Sequence, residues 1–443
     1  MTDRTAPTRT LGLPAAAAVV GASMVGAGVF TTSGLLLESL GSRRLVLLAW
    51  LLGGLLATLG ALCYGALGRR LPESGGEYLF LSRLLHPAAG AMAGWVSVLV
   101  GFSAPLALAA WGFGAYVRPW TPGLDEPVLG SLLVLAAGLL HGGRVRTGAG
   151  LQTAVVAVKL GLLFGAALLA LPFLPDHPDP PAASPLAGPF ALALLWVSFS
   201  YSGYNAAVYV AGELRDPERN LPRALLLGCL AVVALYLLLN AVFLYAAPPA
   251  ELAGRLEIGR VAAAAIGGPR WGDAVAAFAA LAQATSVSAM VFLGPRVVAR
   301  MAADGVLPRL LAAQRPGRAP GPALVLQLAL ALVFLWTSTF GALLSVVGFT
   351  LSLSTAAAVL ALVRLRLAEG PTLRIPGWPW VPLLFLLATL GSVALSVGER
   401  PLESLWGLAV LGFGYASWRL AGSPRPPQPP PPTPPAARTT DSA

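Results

Sequence analysis

Apolar runs of bilayer-spanning length recur along this chain from about residue 12 to about residue 420, separated by short loops, many of which carry arginine. A transmembrane helix needs about 20 predominantly apolar residues. Runs of that order fall near 12–37, 44–67, 87–117, 128–142, 148–172, 189–212, 223–247, 272–301, 321–338, 341–365, 380–397 and 402–420; the fourth is short, the third and eighth long. Hydrocarbon leaves no water to satisfy backbone N–H and C=O groups, so such runs must close their hydrogen bonds internally, as helices do. The sequence therefore predicts an all-α, multi-pass integral membrane protein of about 12 helices. Composition agrees: 56% of residues are hydrophobic and 11% charged, against about 25% charged in a soluble domain.

A net charge of +10 would suit nucleic acid if it were gathered on one face, but the arginines are scattered through loops. Placing the amino terminus in the cytoplasm puts 21 of the 28 arginines in inside loops and tails. The other 7 are Arg43, Arg44, Arg118, Arg255, Arg260, Arg270 and Arg400. The bias predicts a cell-membrane protein, inner or plasma, with both termini cytoplasmic; the Arg43-Arg44 pair runs against it. The first ten residues, MTDRTAPTRT, are polar, and the run behind them is too long for a signal peptide. At the other end, residues 422–443 form a proline-rich tail with almost nothing to bury, expected to be disordered and cytoplasmic.

Two of the runs are interrupted. In LLWVSFSYSGYNAAVYVAGELRDPERNLPRA, from Leu194 to Ala224, the apolar helix is broken by Ser198, Ser200, Tyr201, Ser202, Gly203, Tyr204 and Asn205. Irregular backbone at membrane depth is tolerated only where protein or a water-filled cavity surrounds it. The first run carries the matching feature, Ser23-Met24-Val25-Gly26-Ala27-Gly28-Val29-Phe30. Interrupted segments at corresponding positions of two halves point to a transporter's midplane site. The organisation expected is five helices in 11–172, an external loop at 173–188, an inverted five in 189–366, and two more helices in 367–421.

The chemistry of the breaks is complementary. Gly26 and Gly28 let the backbone unwind and approach a ligand closely. The half-helix after them offers free N–H groups and a positive dipole end, suited to a carboxylate. Carbonyls freed between Phe199 and Ser202 suit an ammonium group, Phe199 and Tyr204 an apolar side chain or a lid, and Asn205 a neutral polar contact. Taken alone, each feature also reads as helix packing: small residues pack helices closely, and aromatics fill cores.

Lys159 is the only lysine, placed midway along the fifth run. It is about 18 Å from either end at 1.5 Å per residue, too deep to snorkel. Burial disfavours its ammonium form, which suits proton coupling, with Thr285, Ser286 and Ser288 as candidate partners. The alternative is a static charge paired to carbonyls, standing where a bound cation would. Arg69, Arg70, Glu73 and Glu77, around LPESGGEYLF, belong to an inner gate or loop, and RVVARMAADGVLPRLL is a basic amphipathic segment. His86, His141 and His177 share no metal-ligand spacing, and no Gly-x-Ser-x-Gly, HExxH or Walker A pattern occurs, so neither an enzyme nor a metal cofactor is expected.

Four motifs, in order, resemble the amino acid–polyamine–organocation permeases, and the likeness extends over residues 11–420. They are GAG with VFTTSG behind it, GRRLPESGGEYLFLSRLLHP, FSYSGYNAAVYVAGELRDPERNLPRA and GPRVVARMAADGVLPR. The third is similar to the L-type amino acid transporter branch, where an aromatic-Asn pair follows the glycine. The resemblance implies a five-plus-five inverted repeat (the LeuT-like fold), alternating access, and an L-amino acid held between helices 1 and 6. It implies that Gly26, Ala27 and Gly28 bind the carboxylate, that backbone around Phe199 and Ser202 binds the amino group, and that Phe199 gates the site. Lys159 then matches the helix 5 lysine that takes the place of sodium in proton-linked members. Asn205 stands where many members have an acid, which favours neutral over cationic substrates. Mammalian L-type members pair with a glycoprotein through a cysteine; Cys63 and Cys229 both lie in apolar runs, so no obligate protein partner is expected. The function expected is secondary transport of neutral L-amino acids, by proton coupling or exchange. A cationic amino acid or polyamine exchanger and a non-transporting sensor of the same fold are the alternatives.

Overall fold

The computed structural model describes residues 11–73, 75–142, 149–175, 177, 187–313 and 319–420. The amino-terminal tail, the proline-rich tail and most of the external loop lie outside the described residues. Within them the chain is almost entirely helical, with one isolated bridge between Leu11 and Leu214. The first run is two helices, α1 (Leu13–Met24) and α2 (Ala27–Leu40). Next come α3 (Arg43–Arg70), a short connecting helix α4 (Gly76–Leu84), and α5 (Pro87–Val96), which passes through a π-helical stretch into α6 (Ala104–Val117). Then follow α7 (Glu126–Gly142), α8 (Ala149–Ala170) and α9 (Ala187–Ser200). After a 3-10 stretch at Ala206–Glu213 come α10 (Pro217–Tyr245), α11 (Pro249–Leu252), α12 (Ile258–Gly267) and α13 (Pro269–Ala303). The chain closes with α14 (Gly321–Thr337), α15 (Phe340–Glu369), α16 (Trp380–Glu399) and α17 (Pro401–Leu420).

The apolar runs of the sequence fall on these helices, the first divided between α1 and α2, the third between α5 and α6, and the sixth between α9 and the 3-10 stretch. Among the described residues, 6 helices are long and apolar enough to cross a membrane, and the pair α1–α2, bent by 41°, makes a seventh. Several others, α7, α9 and α14 among them, are shorter apolar helices of 10–17 residues.

The core is aromatic at its centre. Trp50, Tyr201 and Tyr236 are fully buried, with ring centroids 5.1–5.6 Å apart. Such a triad binds α3, the helix 6 break and α10 into one unit, each pair adding about 0.5–1.5 kcal/mol beyond area burial. Arg43, the exception in the charge bias, is completely buried. Its guanidinium donates to the carbonyls of His177 and Ala247 and lies over the Tyr245 ring. It is a clamp between loops rather than a topological charge, and loop counting cannot see the difference.

At the face where the chain enters the bundle, Leu11 pairs with the end of helix 6. Its N–H donates to the Glu213 carbonyl at 3.0 Å, and its carbonyl accepts from Arg215 at 2.9 Å. The entry to helix 1 and the exit from helix 6 are thus tied by backbone at one face.

Candidate functional site

Helix 1 breaks at Val25-Gly26, where the regular bonding pattern lapses. The lapse frees carbonyls at the end of α1, and side chains from two other helices reach them. Tyr236 of α10 donates its hydroxyl to Met24 at 2.6 Å, and Lys159 of α8 donates to Val25 at 3.0 Å. The Met24 carbonyl also accepts from the Gly26 N–H at 2.9 Å; an unsatisfied buried carbonyl would cost about 1–3 kcal/mol.

Helix 6 breaks from Tyr201 to Asn205. Gly203 sits at φ +98°, a left-handed conformation that only glycine adopts readily. It is also pressed against helix 1: a Cβ there would lie 2.8 Å from the Ser23 carbonyl group. The Phe199 carbonyl is taken by the Ser202 N–H at 2.9 Å, and the Ser200 carbonyl lies 3.2 Å from the Tyr236 hydroxyl. One hydroxyl therefore stands between the last carbonyls of both broken helices.

The sequence-predicted residues separate into two groups. Gly26 faces room: the nearest atom to a Cβ built on it is Ser286 Oγ at 3.7 Å, an ordinary contact. Ser23 is exposed, Ser202 and Gly203 are half-buried, and Phe199 is buried. Gly28, by contrast, faces Ser200, whose Cα would lie 2.6 Å from an added Cβ. Ser200 Oγ in turn lies 3.2 Å from Thr32 Oγ1. This pair is where α2 and α9 touch, so the second glycine of GAG serves close helix approach in this conformation.

Tyr204 and Asn205 are engaged with other helices of the protein. The Tyr204 ring packs edge-on against Tyr64 at 5.7 Å and covers Gly60. Asn205 donates its amide to Glu77 at 3.1 Å. Thr285 and Ser286 donate to the Ala282 carbonyl of their own helix, and Ser288 pairs with His141 at 2.7 Å. The proposed partnership of these hydroxyls with Lys159 is therefore corrected. The ammonium instead meets the Val25 carbonyl.

Sequence reasoning missed Tyr236 and Asn240, spaced i,i+4 in the apolar run of α10. Asn240 donates to the Tyr236 carbonyl at 2.8 Å and accepts from Ser33, which accepts from Trp50 at 2.9 Å. The signal was a polar residue recurring at helical spacing among leucines and valines, one face of a helix turned inward.

The chain is 29% identical to large neutral amino acids transporter small subunit 2 of Homo sapiens over 421 residues, covering 91% of this chain and 78% of that protein. It is 31% identical to Asc-type amino acid transporter 1 of Mus musculus over 269 residues, 56% of this chain and 50% of that protein. It is 25% identical to b(0,+)-type amino acid transporter 1 of Mus musculus over 408 residues, 89% of this chain and 83% of that protein. All are named as transporters. The first is named a small subunit, which stands against the expectation that no protein partner is needed. Residues 11–416 match the family described as amino acid permease. With two broken helices meeting at buried polar groups in an otherwise apolar helical bundle, the chain belongs to the amino acid permease family.

Proposed function

We propose that this permease moves neutral L-amino acids across the cell membrane by alternating access, as a five-plus-five inverted repeat of broken helices 1 and 6 followed by two further helices. The observation that carries the reading is the meeting of the two breaks, with Tyr236 within reach of both the Met24 and Ser200 carbonyls. Ser23, Gly26, Ala27, Phe199, Ser202 and Gly203 frame the substrate, mainly through backbone. Gly28 and Ser200 hold the half-helices together, and Tyr204 and Asn205 support the site from behind. The N–H groups at the start of α2 take the carboxylate. Names of relatives such as the large neutral amino acids transporter support a neutral side chain.

Lys159 braces the helix 1 break in its charged form, and proton exchange there links the break to pH. The coupling ion is the proton, with no other cofactor, or transport runs as exchange. Both termini are cytoplasmic, which makes the face at Leu11 the inner one. The backbone tie there between Leu11 and the end of helix 6 supports a state shut toward the cytoplasm. Because Cys63 and Cys229 are both buried, any larger subunit binds this chain without a disulfide.

The test is uptake of a labelled amino acid panel into proteoliposomes, with and without a pH gradient and internal counter-substrate. Uptake of neutral amino acids, independent of sodium, is the expected result. Uptake confined to cationic substrates or polyamines, or no uptake of any, overturns it.

A further inference from the structure

Glu77 is 5% exposed, on the short helix α4 between two spans, and three neutral groups from three other elements converge on its carboxyl. Tyr64 of α3 donates to Oε1 at 2.5 Å, Asn205 of the helix 6 break donates to the same oxygen at 3.1 Å, and Ser354 of α15 donates to Oε2 at 2.8 Å. Around it, Tyr209 of the 3-10 stretch covers Gly76. The ion pairs on the same face, Arg70–Glu369 and Arg83–Glu73, are partly exposed, and such pairs are worth about 0–1 kcal/mol each.

We propose that Glu77 is a proton-binding latch that holds the inner gate of this permease shut, gathering α3, α4, helix 6 and α15 on one carboxyl and releasing them when that carboxyl ionises into water. The proposal rests on the transport reading above, since a gate has meaning only in a protein that opens. It makes Glu77 a positioning residue: it acts through Asn205 and the second half of helix 6.

The physical reason is the difference between the closed and open surroundings. Closed, the carboxyl is out of water, and burial pushes it above the ordinary carboxylate value, opposed in part by the bonds from Tyr64, Ser354 and Asn205. With the proton bound on Oε2, that O–H donates to Ser354 Oγ, reversing the bond, while Tyr64 and Asn205 still donate to Oε1. Open, it is hydrated and ordinary, near about 4.3. A group whose closed-state value is raised binds its proton more tightly when closed. Closure is therefore favoured as pH falls, and this advantage is lost as pH rises through the raised value. The titratable groups facing Glu77 are Tyr64 from α3 and Tyr204 and Tyr209 from helix 6. All are phenols, which ordinarily ionise near about 10. From α15 the facing group is the Ser354 hydroxyl.

The experiment is hydrogen–deuterium exchange on the full chain in lipid nanodiscs, followed at Ala206–Glu213 and at α4. Rates are referred to an unstructured peptide at each pH between about 5 and 8, a range that buried glutamates are known to reach. In the wild type, protection should fall about tenfold across that range. Glu77→Gln, a permanent stand-in for the protonated acid, should remove the pH slope. Glu77→Ala, which leaves three donors without an acceptor, should lower protection about tenfold at every pH. A flat wild-type profile, or a Glu77→Gln profile with the wild-type slope, overturns the latch; if the alanine variant does not fold, the glutamine comparison still decides. Exchange does not depend on transport, so a latch that behaves as described in a protein that moves no amino acid would refute the transport reading and leave the latch standing.

Discussion

The Tyr236 hydroxyl donates to the Met24 carbonyl at 2.6 Å, joining the middle of α10 to the last turn of α1 where that helix gives out. A broken helix at membrane depth is stable only if its loose carbonyls find donors, and here the donors are a phenol and an ammonium from neighbouring helices. Because those bonds come from side chains of other helices, they can be broken without unwinding α1 further.

Removing that hydroxyl with Tyr236→Phe leaves ring packing against Trp50 and Tyr201 intact and leaves the Met24 carbonyl with the Gly26 N–H, at 2.9 Å, as its remaining donor. Stability should fall by about 0.5–1.5 kcal/mol, the net worth of one hydrogen bond, and neutral amino acid uptake by up to about tenfold, since 1.4 kcal/mol is a factor of ten. Thermal denaturation in detergent and proteoliposome uptake measure the two. Wild-type behaviour in both would mean that the bond carries no weight.

Gly28→Ala should destabilise by about 1–3 kcal/mol through overpacking. Adding Ser200→Gly should not restore stability fully, because it removes the Ser200 Oγ and Cβ but leaves the Cα 2.6 Å from the new methyl group. Full rescue by the second substitution would show that only the side chains collide.

Lys159→Ala removes the donor to Val25. Uptake should lose its dependence on a pH gradient, while any exchange that persists stays sodium-independent. The readout is the initial rate against external pH in liposomes clamped inside; a profile identical to the wild type would leave the lysine only a static role.

Asn205→Asp sets a second carboxylate beside Glu77, where the amide now donates at 3.1 Å. Like charges sharing a site disfavour ionisation of one of them. The variant should lose stability and uptake by about tenfold without gaining cationic substrates, and Glu77→Gln should recover much of the loss. A clean switch to arginine or lysine transport would put Asn205 in the substrate's reach after all.

Much of this architecture is legible in the sequence because hydrocarbon leaves the backbone so few options. Apolar runs become helices, and the two polar interruptions at Gly26 and Gly203 become breaks. What the sequence hides is direction. SxGxN reads as a row of ligand contacts, yet Tyr204 turns to Tyr64 and Asn205 to Glu77, because a break changes which way each successive side chain points. Thr285 and Ser286 satisfy themselves on the carbonyls of their own helix, as hydroxyls in helices often do. Tyr236 and Arg43 act through contacts distant in the chain, and composition gives no sign of the partners they find.

The claim that the substrate sits at the joined breaks is tested most directly at Gly26, where an added Cβ would make only an ordinary contact, 3.7 Å from Ser286 Oγ. Wild type and Gly26→Leu should be compared at matched insertion for saturable uptake of a labelled neutral amino acid. The leucine variant should insert and fold, and should lose uptake by about a hundredfold, close to 3 kcal/mol. Uptake by Gly26→Leu with unchanged kcat and KM would contradict it.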